Sequence, residues 1–336
     1  MIWRKPAQSA DGASPKRVLV IQLGGMAAFV QALAAAKRIR EQHVGARITL
    51  LTTDATKELA EKAPYFDTVE GDGKPTEPQA ITGLIKRLRG AKYDMVYDLE
   101  GSSRTNNYFQ GMRPWPPKWS GPIAGASHAY LDSDRSHRHP LDHFAGQLGA
   151  AGLSDAPLMP ELGWLRPVLR DPPRLQPDFF GIRGPYVLLL PRGSETESGR
   201  RWTEDKYIEL ARRIADHGVT PVVFGTPEER PIGAAIAKAE PRAKNLVTRP
   251  DLFQCIGLAE RASFAVGDDV DLMHVAAAAG ASCLVFLSSV TRPAPTAPRG
   301  RGGVVEFTAA VIADLPVDQV DRQLRNCGVY AHAATA

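Results

Sequence analysis

Short runs of consecutive apolar, β-branched residues alternate along this chain with longer stretches whose apolar residues return every three or four positions. RVLVIQLGG at residues 17–25 is the first run, and its unbroken hydrophobicity predicts a strand buried on both faces. A helix is expected over residues 27–42. ARITLLTT at 46–53 and YDMVYDLEG at 93–101 read as further strands, with helical spacing in ITGLIKRLRG between them. This is the βαβ rhythm of a parallel sheet with helices on both faces.

The rhythm breaks at residues 166–185, RPVLRDPPRLQPDFFGIRGP, a proline-rich stretch without periodicity that reads as an interdomain linker. It then restarts. PYVLLLPRG is a strand. TEDKYIELARRIADHG is an amphipathic helix with Thr203 as the expected N-cap and Gly218 as its stop. PVVFGTPEER is a strand and turn, DLFQCIGLAERA a helix, and residues 263–289 give strand, loop, helix and strand. The expected organisation is a tail at 1–16, an α/β domain at 17–165, the linker, a second α/β domain at 186–316, and a helix with a tail at 317–336.

Composition narrows the class. With 43% hydrophobic and 23% charged residues, a disordered chain is excluded. The longest apolar run, AAAAGASCLVFL, is broken by Gly280 and is too short to span a bilayer. The start, MIWRKPAQSADGASPKR, lacks the apolar centre of a signal peptide. A net charge of +4 is compatible with an acidic membrane surface or a phosphorylated substrate and gives no sign of nucleic-acid binding. Cys255, Cys283 and Cys327 are scattered without CxxC spacing, which fits a reduced, cytoplasmic setting.

Ligands in open α/β sheets bind beyond the carboxyl ends of strands, so three loops carry the candidate chemistry. In the first, Gly24 and Gly25 follow a strand and open a helix, where free backbone N–H groups suit an anion, although an ordinary tight turn would look the same. The second, PRGSETESGRRW, holds Arg192, Arg200 and Arg201, whose guanidinium forks suit phosphate; a solvated basic loop with a packed Trp202 is the competing reading. The third, GDDVDLMH at 267–274, leads into a helix whose first turn offers N–H donors. Asp268, Asp269 and Asp271 have the look of a DxD metal site, but acidic helix caps explain them more simply. His139 and His143 have the i,i+4 spacing of a zinc pair beside His137, yet no HExxH glutamate lies between them, and a polar helix start accounts for them.

Taken in order, these motifs resemble glycosyltransferase family 9, the ADP-heptose:lipopolysaccharide heptosyltransferases, over almost the whole chain. QLGGMAA stands for the family's R-x-G-A-x-G-D loop, DLEGSSR for D-L-Q-G, GRRW for K-R-W-P, GTPEE for G-x-P-x-E, and GDDVDLMHVAAAAG for G-N-D-S-G-P-M-H-x-A-A-A-x-G. The resemblance implies a GT-B fold, two Rossmann-like domains with parallel sheets facing across a cleft. The second domain would hold a nucleotide-diphosphate sugar, ADP-linked, and the first would meet a lipid-linked or lipopolysaccharide core acceptor. The segment from 317 would pack back towards the first domain. Transfer would be inverting and without a required metal, magnesium remaining open, at the cytoplasmic face of the inner membrane.

Several positions depart from the family pattern. The loop aspartate that acts as general base falls at Ala28, which cannot take a proton, and the loop arginine falls at Gln22. The glycine that lets the backbone approach the phosphates falls at Asp271, between Val270 and Leu272. The family's lysine becomes Arg200. Arg192, Glu228, Glu229, Asp269, Leu272, Met273 and His274 complete the expected donor site, with the two glutamates at the ribose. Arg104 joins Gly24 and Gly25 on the acceptor side. Glu100, at the end of a first-domain strand, is the candidate replacement base, ahead of Asp98. A catalytically silent relative, acting as a binding or scaffold subunit in envelope-glycan assembly, is the alternative function.

Overall fold

In the computed structural model of the chain, residues 15–170, 175–193, 201–289 and 296–331 are described. They form two compact units divided between Pro160 and Glu161. The first unit runs β1 (Arg17–Ile21), α1 (Met26–Gln42), β2 (Arg47–Leu51), α2 (Asp54–Lys62), β3 (Thr68–Glu70), α3 (Pro78–Gly90), β4 (Met95–Asp98), α4 (Ser103–Gly111), β5 (Lys118–Gly121), β6 (His128–Ala129) and α5 (Pro140–Ala150). The second continues with α6 (Arg166–Arg170), β7 (Tyr186–Leu190), α7 (Glu204–Asp216), β8 (Thr220–Val223), α8 (Arg230–Ala239), β9 (Lys244–Asn245), α9 (Leu252–Arg261), β10 (Phe264–Asp268), α10 (Asp271–Ala279), β11 (Cys283–Ser288), β12 (Val304–Ala309) and α11 (Val317–Asn326).

Each unit is built on one parallel six-stranded sheet. The orders are β3-β2-β1-β4-β5-β6 and β12-β11-β10-β7-β8-β9. Counted from β7, the second order has the same form as the first, so both are doubly wound sheets of Rossmann type. In each, the order reverses beside the unit's first strand, between β1 and β4 and between β7 and β10. Val18 lies opposite Met95 and Ile21 opposite Asp98, so β1 and β4 end together. Phe264 pairs with Val187 and Gly267 with Leu190, so β7 and β10 do likewise. These two ends are where a parallel sheet leaves room for a ligand.

Burial explains why the strands were readable. β1, β4, β7, β10 and β11 are buried along nearly their whole length, as strands covered by helices on both faces must be. In the first unit Leu19, Ile21 and Val96 pack with Tyr108, Phe109 and Trp119. In the second, Val187, Leu189 and Val266 pack with Trp202, Tyr207 and Phe286. Two predicted stops are present: Gly218 (φ +74°) and Gly280 (φ +107°) take the left-handed conformation that releases the chain from α7 and α10.

Three features differ from the sequence reading. The described residues of 166–185 belong to the second unit, where Leu165, Leu169, Leu175 and Ile182 are buried and Gln176 Nε2 donates to the Leu169 carbonyl; residues 171–174 lie outside the described residues. Thr203 stands at the N-cap of α7, but its side chain makes no capping bond, and Glu204 and Asp205 complement the helix end instead. The C-terminal helix α11 is part of the second unit: Val320 and Leu324 enter its core and Arg213 of α7 pairs with Asp318 at 2.5 Å. Of the predicted N-terminal tail, residues 1–14 lie outside the described residues, as do 332–336 at the other end.

Candidate active site

The second unit gathers its candidate residues where β7, β8 and β10 end. β10 delivers Asp268 as its last residue, fully buried. One carboxylate oxygen of Asp268 accepts the Arg192 N–H (3.1 Å) and the Tyr207 hydroxyl (2.9 Å), and the other accepts the Trp202 N–H (3.1 Å). The carboxylate therefore holds both described ends of the basic loop that follows β7. Burial pushes its pKa up to about 7, against the opposing pull of these donors and of the Arg192 charge. Arg200 and the rest of 194–200 lie outside the described residues.

Gly193 sits where the backbone of this loop meets the turn after β8; a Cβ there would fall on the Glu228 carbonyl. Its N–H donates to Glu229 Oε1 (2.8 Å), while Glu229 Oε2 accepts the Thr226 N–H (2.6 Å) and hydroxyl (2.8 Å). Of the two glutamates predicted at the ribose, Glu229 is thus buried and bonded to protein, and Glu228 is the exposed one. Asp269 lies beside α10, its Oδ1 3.3 Å from Nε2 of the buried His274, and its carbonyl accepts from the Arg192 guanidinium. Asp271 is exposed in the first turn of α10, whose N-cap, Val270, has no polar side chain to offer; Leu272 follows half-buried and Met273 is buried.

The acidic run does not converge. Asp268 faces the core, Asp269 faces His274 and Asp271 faces solvent; among the described residues no group of three His, Cys, Asp or Glu is placed to hold a metal. The histidines of the first unit also separate. His137 is exposed beside Asp134, and His139 caps α5 by accepting the Leu141 N–H (3.1 Å). His143 is buried 3.7 Å from Asp132, and desolvation lowers its pKa to about 4.

In the first unit the loop after β1 closes on itself. Gln22 is buried, and its Oε1 accepts the Gly24 N–H (2.6 Å). A Cβ on Gly24 would lie 2.8 Å from that of Ala28, so the loop packs tightly against the first turn of α1, which Gly25 caps. Glu100 reaches this loop from the end of β4: its Oε2 accepts the Leu23 N–H at 3.1 Å. Asp98 is fully buried, with Oδ1 accepting the Gly101 N–H (2.8 Å); desolvation raises its pKa to about 6. Arg104 donates to the Pro75 carbonyl (2.6 Å) and so anchors the loop after β3.

Two contacts at these strand ends escaped the sequence reading. The Tyr207–Asp268 bond joins a helix and a strand 61 positions apart. Arg135 bonds Gly101 across 34 positions. Asp268 was read only as part of an acidic helix cap, with no sign of its bond to Tyr207; Arg135 gave no signal.

The family model of glycosyltransferase family 9 (heptosyltransferase) matches residues 81–303. Lipooligosaccharide heptosyltransferase 2 of Haemophilus influenzae is 30% identical over 119 residues, 34% of each chain. Lipopolysaccharide heptosyltransferase 2 of Escherichia coli is 34% identical over 99 residues, 28% of each. The chain thus aligns with about a third of the length of the curated relatives it matches. The solved structure of E. coli ADP-heptose lipopolysaccharide heptosyltransferase II superposes with a TM-score of 0.72 at 19% identity, covering 93% of this chain and 98% of that one. A family 9 glycosyltransferase from Veillonella parvula gives 0.75 at 14%, covering 93% and 97%. These likenesses assign the two sheets to the GT-B fold of the heptosyltransferases. With the family model spanning both units, the chain belongs to glycosyltransferase family 9.

Proposed function

We propose that the chain is an inverting glycosyltransferase that moves a heptose-like sugar from an ADP-linked donor to a lipopolysaccharide core or related envelope-glycan acceptor. The second unit would hold the donor and the first would supply the base. One observation carries the reading: the Glu100 carboxylate rests on the Leu23 N–H, which brings a proton acceptor to the loop where the family position for the base is occupied by Ala28.

In this scheme Glu100 takes the proton of the acceptor hydroxyl. The hydroxyl oxygen bonds to the anomeric carbon as the bond from that carbon to the diphosphate oxygen breaks, and the electron pair leaves with ADP. Arg192 and the first turn of α10 would steady the departing charge, as cations and helix N-termini do for anions. Asp271 opposes an anion in that turn, and the Arg192 guanidinium, held on the neighbouring Asp269 carbonyl, offsets it. Glu228, Glu229, Leu272, Met273 and His274 frame the rest of the donor site. A lipid-linked acceptor would place the protein at the cytoplasmic face of the inner membrane, and no helix among the described residues is long and apolar enough to cross one.

Two experiments test this. Calorimetric titration with ADP, with and without magnesium, should show binding that needs no metal; binding with magnesium only would overturn the metal-independent reading. Glu100→Gln should abolish transfer from ADP-heptose while leaving ADP binding intact. Unchanged turnover in that variant would remove Glu100 from the mechanism. Absence of both nucleotide binding and turnover in the wild-type chain would leave the silent scaffold subunit as the better account.

A further inference from the structure

The turn between β6 and α5 reaches back to the strand end that carries Glu100. Arg135 opens a 3-10 turn, Arg135–His137, and is half-buried. Its guanidinium donates to two consecutive carbonyls, Nη1 to Gly101 (2.9 Å) and Nη2 to Glu100 (3.0 Å). Gly101 makes room for this fork: it adopts φ +60°, and a Cβ there would lie 2.5 and 2.6 Å from the two guanidinium nitrogens. A lysine could meet one of these carbonyls but not clamp both.

The rest of the loop is pinned from other directions. The Leu99 N–H donates to the Ile21 carbonyl (3.0 Å), the Gly101 N–H to Asp98 Oδ1 (2.8 Å) and the Ser102 N–H to Thr105 Oγ1 (3.0 Å). These bonds hold the amide N–H groups on either side of Glu100. Among the described residues, the carbonyls of Glu100 and Gly101 are fixed by Arg135. Their orientation sets the direction in which the Glu100 side chain leaves the backbone, and that side chain ends on the Leu23 N–H.

We propose that Arg135 is a positioning residue for Glu100: by clamping the Glu100 and Gly101 carbonyls it delivers the carboxylate to the loop after β1, one oxygen on Leu23 and the other available to the acceptor hydroxyl. This rests on Glu100 as the base. Arg135 itself touches no reacting atom. Its contribution is orientation, and a misplacement of about 1 Å at a base can cost about 100-fold in rate.

The test compares Arg135→Gln, Arg135→Lys, Glu100→Gln and the double variant Arg135→Gln/Glu100→Gln in transfer from ADP-heptose to a heptose-free lipopolysaccharide core, alongside hydrogen exchange of the peptides containing Leu23 and Gly101. Arg135→Gln should lower kcat about 10- to 100-fold with donor KM changed no more than about twofold. Arg135→Lys should recover part of the loss, and guanidinium ion below denaturing concentration should rescue Arg135→Gln. In the Glu100→Gln background the same substitution should cost nothing further. Exchange should show the Leu23 amide released in Arg135→Gln, with the rest of the first unit still protected. Unchanged kcat, additive losses, or a Leu23 amide that stays protected would overturn the proposal. Full turnover in Glu100→Gln would instead sink the assignment of the base. If the wild-type chain does not use ADP-heptose, the exchange result decides the positioning role alone.

Discussion

Asp268→Asn isolates the group that ties the two described ends of the basic loop after β7 together. The wild-type carboxylate accepts three protein donors in a fully buried position. An asparagine has one acceptor oxygen. Turned one way, its amide faces the Arg192 N–H; turned the other, it faces the Trp202 N–H. The Tyr207 hydroxyl can rotate to accept, but a backbone N–H cannot, so one donor is orphaned at a cost of about 1–3 kcal/mol.

The size of the effect depends on pH, and the sign follows from the raised pKa. Between the ordinary value of 3.8 and about 7, folded Asp268 holds a proton that the unfolded chain has lost. The native state then binds more protons, so this group's stabilising contribution is full at acid pH and falls as pH rises, by at most about 1.4 kcal/mol per unit. Asparagine does not titrate. The stability difference, wild type minus variant, should therefore shrink steadily from about pH 4 to about pH 7 and level off above it. Urea unfolding of both proteins across that range measures it, and groups common to both, such as Asp98 and His143, cancel. A difference that is flat with pH, or that grows with pH, would refute the assignment of Asp268 as a buried acid with a raised pKa.

Other consequences can be checked singly. His143 runs the opposite way: its folded pKa of about 4 lies below the ordinary 6.5, so its contribution is lost as pH falls through that window, and His143→Phe should lower the pH of acid unfolding; an unmoved acid limb would count against it. Gly193→Ala places a methyl on the Glu228 carbonyl and should weaken ADP binding at least about tenfold by calorimetry, at a stability cost of about 1–3 kcal/mol. Trp202→Ala should cost about 3–5 kcal/mol in urea unfolding, because the fully buried ring packs on Tyr207 and Phe286 and its Nε1 donates to the Leu315 carbonyl (2.8 Å).

The sheets were legible because β1, β4, β7 and β10 are buried on both faces and spell that burial as unbroken apolar runs. α10 was legible as small residues between an acidic start and a glycine stop. The segment at 166–185 was misread because its prolines disrupt periodicity while Leu169, Leu175 and Ile182 still find a core. Thr203 sits at the right backbone position, but the sequence could not reveal that its hydroxyl would be buried without a partner among the described residues. Glu229 shows the same limit at the site. The family resemblance implied a ribose contact, and nothing in the sequence showed that three donors, one of them from the neighbouring loop, hold its carboxylate. Spacing reports which strand end a residue occupies; it does not report which donors will meet it there.

That distinction bears on the two departures from the family pattern. Ala28 and Asp271 sit in the first turns of helices α1 and α10, each at a topological switch point of its sheet. At a switch point two strands end side by side, so a group missing from one loop can be supplied by its neighbour without moving the backbone. In the first unit the neighbour is β4, whose Glu100 already meets the loop after β1. In the second it is β7, whose Arg192 already meets the loop after β10. The two losses therefore need not mean release from the chemistry. If compensation is the right account, restoring an aspartate at Ala28 should interfere with Glu100, because two carboxylates at one loop repel. Ala28→Asp should then lower turnover in the Glu100 background and raise it in Glu100→Gln. Equal effects in both backgrounds would show that the two positions do not share a site.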